Sequence, residues 1–397
     1  MSHDPKLGGL ASAVIHWRAS RIDDPVARLR FLRRTLGDQS WFTLEPHGRS
    51  RRWLRERRRV VIWSAAVLLL APAGQMGGRL AKLTEREPVL SAAILSSAER
   101  PLPAVWLAEQ QAGFESWSNG LRVERRYEIS NEPRSFQVFP LGKEVPGAGQ
   151  AGTEPAGIVF HTTESHQADF SEDHVRRLKL IGEALLRYVQ ENRSYHYLVD
   201  RFGRVWRVVR ESDAANHAGY SVWADDHRTF VNLNRSFLGI SLEAQTRQED
   251  GHSAATPAQV NALRLLTEML RSKYSIPAIN CVTHAQVSVN PSNLRIGYHT
   301  DWAAGFPFAE VGLPDNYGRP LAALWLFGFS YDAPLVNSTG ASYWKGLLLA
   351  EDQLRQNATA HGMSVAQWRS GLQSRYRAIL KHLQQTNGAS GPPGAAD

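Results

Sequence analysis

Between residues 156 and 310, short apolar runs alternate with two long stretches of helical spacing, and that order restricts the fold more than any other feature. GIVFHTT (157–163) is an apolar run short enough for a buried strand. DHVRRLKLIGEALLRYVQE (173–191) repeats its apolar residues at helical intervals. YHYLVDRFGRVWRVVR (195–210) reads as two alternating strands turning at Phe202-Gly203. FLGISLEAQ (237–245) is a further strand. Thr256 and Pro257 open a helix that runs to about Tyr274, matching the preferences at a helix start. AINCVTHA (278–285) closes the series as a strand. The order β-α-β-β-β-α-β predicts an α/β fold: a mixed central β-sheet flanked by helices.

The rest of the 397-residue chain divides around this block. Residues 1–59 carry 14 Lys/Arg against 6 Asp/Glu, which accounts for the whole formal net charge of +8. The body is therefore neutral, and a nucleic-acid partner is not expected. RRWLRERRR (51–59) precedes VVIWSAAVLLLAPAG (60–74) and QMGG (75–78), a charge-free run. A basic cluster before an apolar segment predicts a single-pass anchor in the inner (cytoplasmic) membrane. The arm 1–59 would be cytoplasmic and the body would face the periplasm or cell exterior. A signal peptide cleaved near Ala71-Pro72-Ala73 and a buried core helix are the competing readings. Residues 12–35 have the pattern of a basic amphipathic helix suited to an anionic membrane surface or to solvent. Residues 79–154 read as a connector with short strands at 122–129 and 135–141, followed by a Gly/Pro-rich linker (142–157). The compact domain is expected over 155–315, a helical extension over 320–387, and a disordered tail over 388–397. Within the extension, residues 358–376 read either as a helical hairpin or as a LysM-type glycan-binding module. The single cysteine, Cys281, allows no intrachain disulfide and is expected in the core.

His161 closes the strand GIVFH, His284 closes AINCVTH, and His299 and Asp301 share the loop GYHTDWAAGFPF (297–308). A lone strand histidine usually serves the core. Two at the ends of separate strands, with a loop His-x-Asp, form a donor set of the kind that catalytic zinc takes: three protein ligands and one open position.

The motifs IVFHTTES, SYHYLVDRFGRVWRVV, NHAGYS, SFLGISLEAQ, TPAQVNALRLLTEML, INCVTHAQV and HTDWAAGFPF, in this order, resemble the type 2 N-acetylmuramoyl-L-alanine amidases, relatives of the peptidoglycan recognition proteins. The resemblance spans about 156–310. It implies a Zn2+ ion held by His161, His284 and Asp301. It also implies hydrolysis of the amide between N-acetylmuramic acid and L-alanine in peptidoglycan or muropeptides. Tyr195 matches a catalytic tyrosine of one branch, where another branch has a glutamate at the position of Ser241. His299 stands where the family commonly has Lys, so Tyr195 and His299 are the expected catalytic pair beside the metal. His217 in NHAGYS is expected to line the substrate groove.

Two departures leave choices open. VSVNPSNLRIGY (287–298) is longer than usual in the family, and a histidine in the Lys position makes His299 an alternative third ligand. An unperturbed histidine titrates near neutrality, so a fall in activity in mild acid is expected. A non-catalytic peptidoglycan-binding module on a membrane anchor is the competing function. His196 is read as structural, and His166 and His174 as surface residues.

Overall fold

The structure, a computed structural model, describes residues 15, 18–22, 24–37, 102–246, 255–331 and 333–386, all within one compact unit. The described chain opens with helix α1 (Pro25–Gly37). Strands β1 (Leu107–Gln110), β2 (Phe114–Trp117), β3 (Arg122–Glu124), β4 (Phe136–Pro140), β5 (Gln150–Gly152) and β6 (Gly157–Thr162) follow. Helix α2 (Val175–Asn192) leads to β7 (Tyr197–Val199), β8 (Val205–Arg207), β9 (Val222–Ala224), β10 (Arg228–Val231) and β11 (Phe237–Leu242). Helix α3 (Pro257–Tyr274), β12 (Cys281–Thr283) and the small hairpin β13 (Val289–Asn290) and β14 (Arg295–Ile296) come next. Helices α4 (Ala341–Ala360) and α5 (Val365–Thr386) end the described chain.

The central sheet runs β1-β2-β3-β8-β7-β11-β6-β12, and a smaller antiparallel sheet runs β5-β4-β10-β9. β7, β11, β6 and β12 are mutually parallel where they pair. The expected mixed sheet with flanking helices is what forms. α3 begins at Thr256, whose side chain accepts from the Gln259 N–H while Gln259 reciprocates. Its Leu263, Leu266, Met269 and Leu270 share a core with Phe160 and Ile240. On the other face, Leu185, Leu186 and Val189 of α2 pack on Leu198, Trp206 and Val208. Each fully buried side chain of this kind contributes about 1.5–3 kcal/mol. Because strand side chains alternate, His161 next to Phe160 points away from α3.

Several expectations change. Residues 107–152 are not a connector: β1–β3 extend the central sheet along β8, and β4–β5 build the smaller sheet. Arg207 of β8 fixes this edge, donating to Glu115 at 2.7 and 3.0 Å and to Glu128 at 2.7 Å. The hairpin β9–β10 lies in a stretch where no strands were expected. The strand expected at 278–285 is only Cys281–Thr283, with helical turns on either side. Residues 358–376 are the end of α4, a turn and the start of α5, the helical hairpin rather than a LysM module. Cys281 is buried as expected.

The described part of the N-terminal arm, within residues 15–37, is not separate either. α1 packs on α4 and on the short helix Ala333–Ser338, with Leu29 and Leu32 buried and Asp24 paired to Arg355 at 3.3 Å. The apolar stripe read as facing a membrane faces protein. The anchor expected at 60–78 and the tail at 388–397 lie outside the described residues. No described helix is long and apolar enough to cross a membrane.

Candidate metal centre

The site forms where the parallel strands β6 and β12 end. His161 is the penultimate residue of β6, and its register partner on β11 is Ser241. After β12, Thr283 starts a one-turn helix, its N–H bonded to the Gln286 side chain at 2.9 Å. That turn carries His284 back over β6. Asp301 arrives from the loop after β14, and its carbonyl accepts from the Ala285 N–H at 3.1 Å. The Thr162 N–H approaches the second carboxylate oxygen at 3.4 Å.

His161, His284 and Asp301 are all buried, and one donor atom from each lies within 4.8 Å of the others. His284 Nδ1 is 2.9 Å from Asp301 Oδ1, and His161 Nδ1 is 3.5 Å from Oδ2. Ligands held about 2.0–2.2 Å from a tetrahedral zinc ion lie roughly 3.3 Å apart, so these separations match the edges of such a polyhedron. The donor chemistry agrees: two imidazoles and one carboxylate in a buried pocket suit a divalent cation. His299 is not in this group. Its ring stacks on His284 at 4.8 Å instead of joining the donor cluster, which favours Asp301 as third donor.

Burial pulls the His161 imidazolium down to about 4, with the neighbouring His284 adding to the fall and Asp301 opposing it. Burial alone would raise the Asp301 carboxyl. The adjacent His284 and the bonds from both imidazoles outweigh it and hold Asp301 well below the usual carboxylate range. The pocket therefore presents a neutral His161 nitrogen and a charged Asp301 oxygen, protonation states that metal binding requires.

Tyr195 and His299 flank the donors, one against each imidazole. The Tyr195 ring lies 5.1 Å from that of His161, and His299 lies 4.8 Å from His284. Burial, then the Asp301 charge, push the Tyr195 phenol above its ordinary value, so it stays a proton donor. Burial and then His284 lower His299 to about 4. Burial thus sets His299 apart from the unperturbed histidine expected from the sequence.

His217 is also not where the sequence placed it. It is buried, with Nδ1 3.2 Å from His161 Nε2 and Nε2 3.3 Å from the Phe237 carbonyl. It sits behind His161 and orients that ring, instead of lining a groove. Two residues make room for it. A Cβ on Gly239 would lie 2.5 Å from the His217 ring, so glycine is required there. Asn234 Oδ1 accepts from the N–H groups of His217, Ala218 and Gly219 at 2.7–2.8 Å. Neither role was visible in the chain, because both depend on strands meeting across the sheet. His196 is buried and accepts from the Gly239 N–H at 2.9 Å, a structural role as expected. His166 is exposed and His174 is half-buried.

Comparison with known proteins matches residues 151–301 to the family described as N-acetylmuramoyl-L-alanine amidase. The amidase AmiD of Escherichia coli K12 is 29% identical over 157 residues, 36% of this chain and 55% of that protein. The chain thus spans about half the length of this curated relative. Among solved structures, E. coli AmiD in complex with anhydro-N-acetylmuramic acid-L-Ala-D-gamma-Glu-L-Lys is 22% identical, with a TM-score of 0.33, covering 49% of this chain and 88% of that one. A Pseudomonas aeruginosa protein, AmpDh3 in complex with an anhydromuramic pentapeptide, is 22% identical, with a TM-score of 0.31, covering 59% and 93%. The matched segment ends at Asp301, so it contains all three donors as well as Tyr195, His217 and His299. The segment of this chain that carries the three donors, residues 151–301, has the sequence pattern of the N-acetylmuramoyl-L-alanine amidase family.

Proposed function

We propose that the chain is a zinc-dependent hydrolase that cleaves the amide between N-acetylmuramic acid and L-alanine in peptidoglycan or muropeptides. The buried cluster of His161, His284 and Asp301, inside a segment of amidase sequence, carries this reading. When bound there, zinc supplies Lewis acidity that activates water and polarises a carbonyl. His161, His284 and Asp301 would hold it. His217 keeps the His161 ring in place through Nε2. Tyr195, protonated at neutral pH, donates to the oxygen that gains charge as the amide carbon becomes tetrahedral. His299, beside His284, provides a second polar group for that oxygen or for the leaving nitrogen.

A binding-only module would not need a complete donor set with a proton donor beside it. The test is incubation of the purified full chain with muropeptides, with and without a chelator. Release of free stem peptides that the chelator abolishes and zinc restores is the expected outcome. Intact muropeptides in the presence of zinc would leave only the binding reading.

Peptidoglycan lies outside the cytoplasmic membrane, and we place the domain there. α1, packed on α4, is then on that side too.

A further inference from the structure

The amidase-like segment ends at Asp301, yet the backbone around the metal donors is held by residues beyond it. Tyr317 and Tyr343 stack on one another, ring centroids 5.7 Å apart and planes at 19°. Both are buried. From this stack the two hydroxyls diverge. Tyr343 donates to the Ala285 carbonyl at 2.5 Å, one residue after His284. Tyr317 donates to the Trp302 carbonyl at 2.5 Å, one residue after Asp301. The Ala285 N–H to Asp301 carbonyl bond at 3.1 Å closes the circuit between the two halves.

The loop needs that support. Trp302 has φ +58, a left-handed conformation that a bulky residue adopts only when its surroundings impose it. Its carbonyl faces Tyr317, and the next carbonyl, of Ala303, accepts from the Gly340 N–H at 3.2 Å. The inserted hairpin β13–β14 is tied to the same extension, with Ile296 N–H donating to the Ser330 carbonyl at 2.8 Å.

We propose that the stacked pair Tyr317–Tyr343 is a positioning device for the metal centre, setting the spacing between His284 and Asp301 from outside the amidase-like segment. Neither tyrosine touches substrate or metal; each acts through one backbone carbonyl. This rests on the reading of His161, His284 and Asp301 as metal donors. Removing a hydroxyl leaves a carbonyl unpaired and lets the adjacent donor drift, as loss of outer-shell partners does in other metal sites.

The experiment measures zinc affinity of the full chain by chelator competition, and the visible spectrum of its cobalt(II) form. Tyr317→Phe, Tyr343→Phe and the double variant are compared with Tyr376→Phe. Tyr376 is also a buried tyrosine of the extension, but its hydroxyl donates to the Tyr220 carbonyl. Thermal unfolding is recorded for each. Each single brace variant is expected to weaken zinc binding about tenfold and alter the cobalt spectrum, the lower end of the 10–100-fold range for such partners. Tyr376→Phe is expected to keep both readouts, whatever its melting temperature. Wild-type zinc affinity in both brace variants overturns the proposal, and so does equal weakening in Tyr376→Phe. The readout is independent of turnover. Weakened zinc in a chain that releases no stem peptide keeps the brace and removes the amidase. Unaltered zinc in an active chain does the reverse.

Discussion

His161 uses both ring nitrogens: Nδ1 faces Asp301 and Nε2 faces His217. Replacing His217 by Ala therefore removes a support without removing a ligand, and zinc affinity is expected to fall 10–100-fold in chelator competition. Tyr195→Phe tests a different function. It is expected to lower kcat by about 10²–10³ while zinc binding stays at the wild-type level. Glu243 gives a pH test away from the metal. Burial raises its carboxyl to about 7, with the Arg201 N–H opposing. A carboxyl whose folded value exceeds its unfolded value of 4.5 favours folding at low pH and costs stability as pH rises through the interval to about 7. Glu243→Gln is expected to raise stability at pH 8 by about 2 kcal/mol and to flatten that part of the pH–stability curve, read by thermal unfolding. The donors were legible in the chain because each stands at the end of a recognisable strand or in a motif loop. His217 was legible as a residue of interest but not as a support, since its place depends on the missing side chain of Gly239 across the sheet.

Elements were legible where periodicity and caps coincide. α3, with its Thr256 cap, and the hairpin β7–β8 match their expected ranges closely. Sequence was silent where an element is made by pairing. β1–β3 are short and gain their strand character by joining β8. Their edge depends on charge. Burial would raise Glu128, but Arg125 and Arg207 outweigh it and lower the carboxyl to about 2. With the folded value depressed below 4.5, the stabilisation is present above that pH and is lost as pH falls toward 2. Glu128→Gln is expected to lower stability at pH 7 and to reduce the loss on acidification, followed by denaturant unfolding at several pH values. α1 shows why an amphipathic stripe does not name its partner. Val26, Leu29 and Leu32 fit a membrane surface as readily as the helices they cover.

At the scale of the molecule, the domain boundary expected at 155 moves back to include 107–152, and α1 joins from still earlier in the chain. Leu29→Ala is expected to cost about 2–5 kcal/mol in denaturant unfolding, the range for a buried leucine, if α1 is integral to the folded unit. A solvated helix would lose almost nothing. The same packing makes a topological prediction. In intact cells, labelling reagents that reach a cysteine placed at exposed Met363 should also reach one at exposed Arg18. Opposite accessibility of the two would place a membrane crossing between them and undo the packing of α1 on α4.

The docking of α1 also orders events during synthesis. Its partners, Leu335 through Leu354, lie about 300 residues further along the chain. At roughly 5–20 residues per second, α1 waits on the order of 15–60 s before the surface that covers Leu29 and Leu32 exists. Through that interval the stripe is open to a chaperone or to a lipid surface. The amphipathic reading of the N-terminal sequence thus describes the nascent chain, and the packed helix describes the finished one.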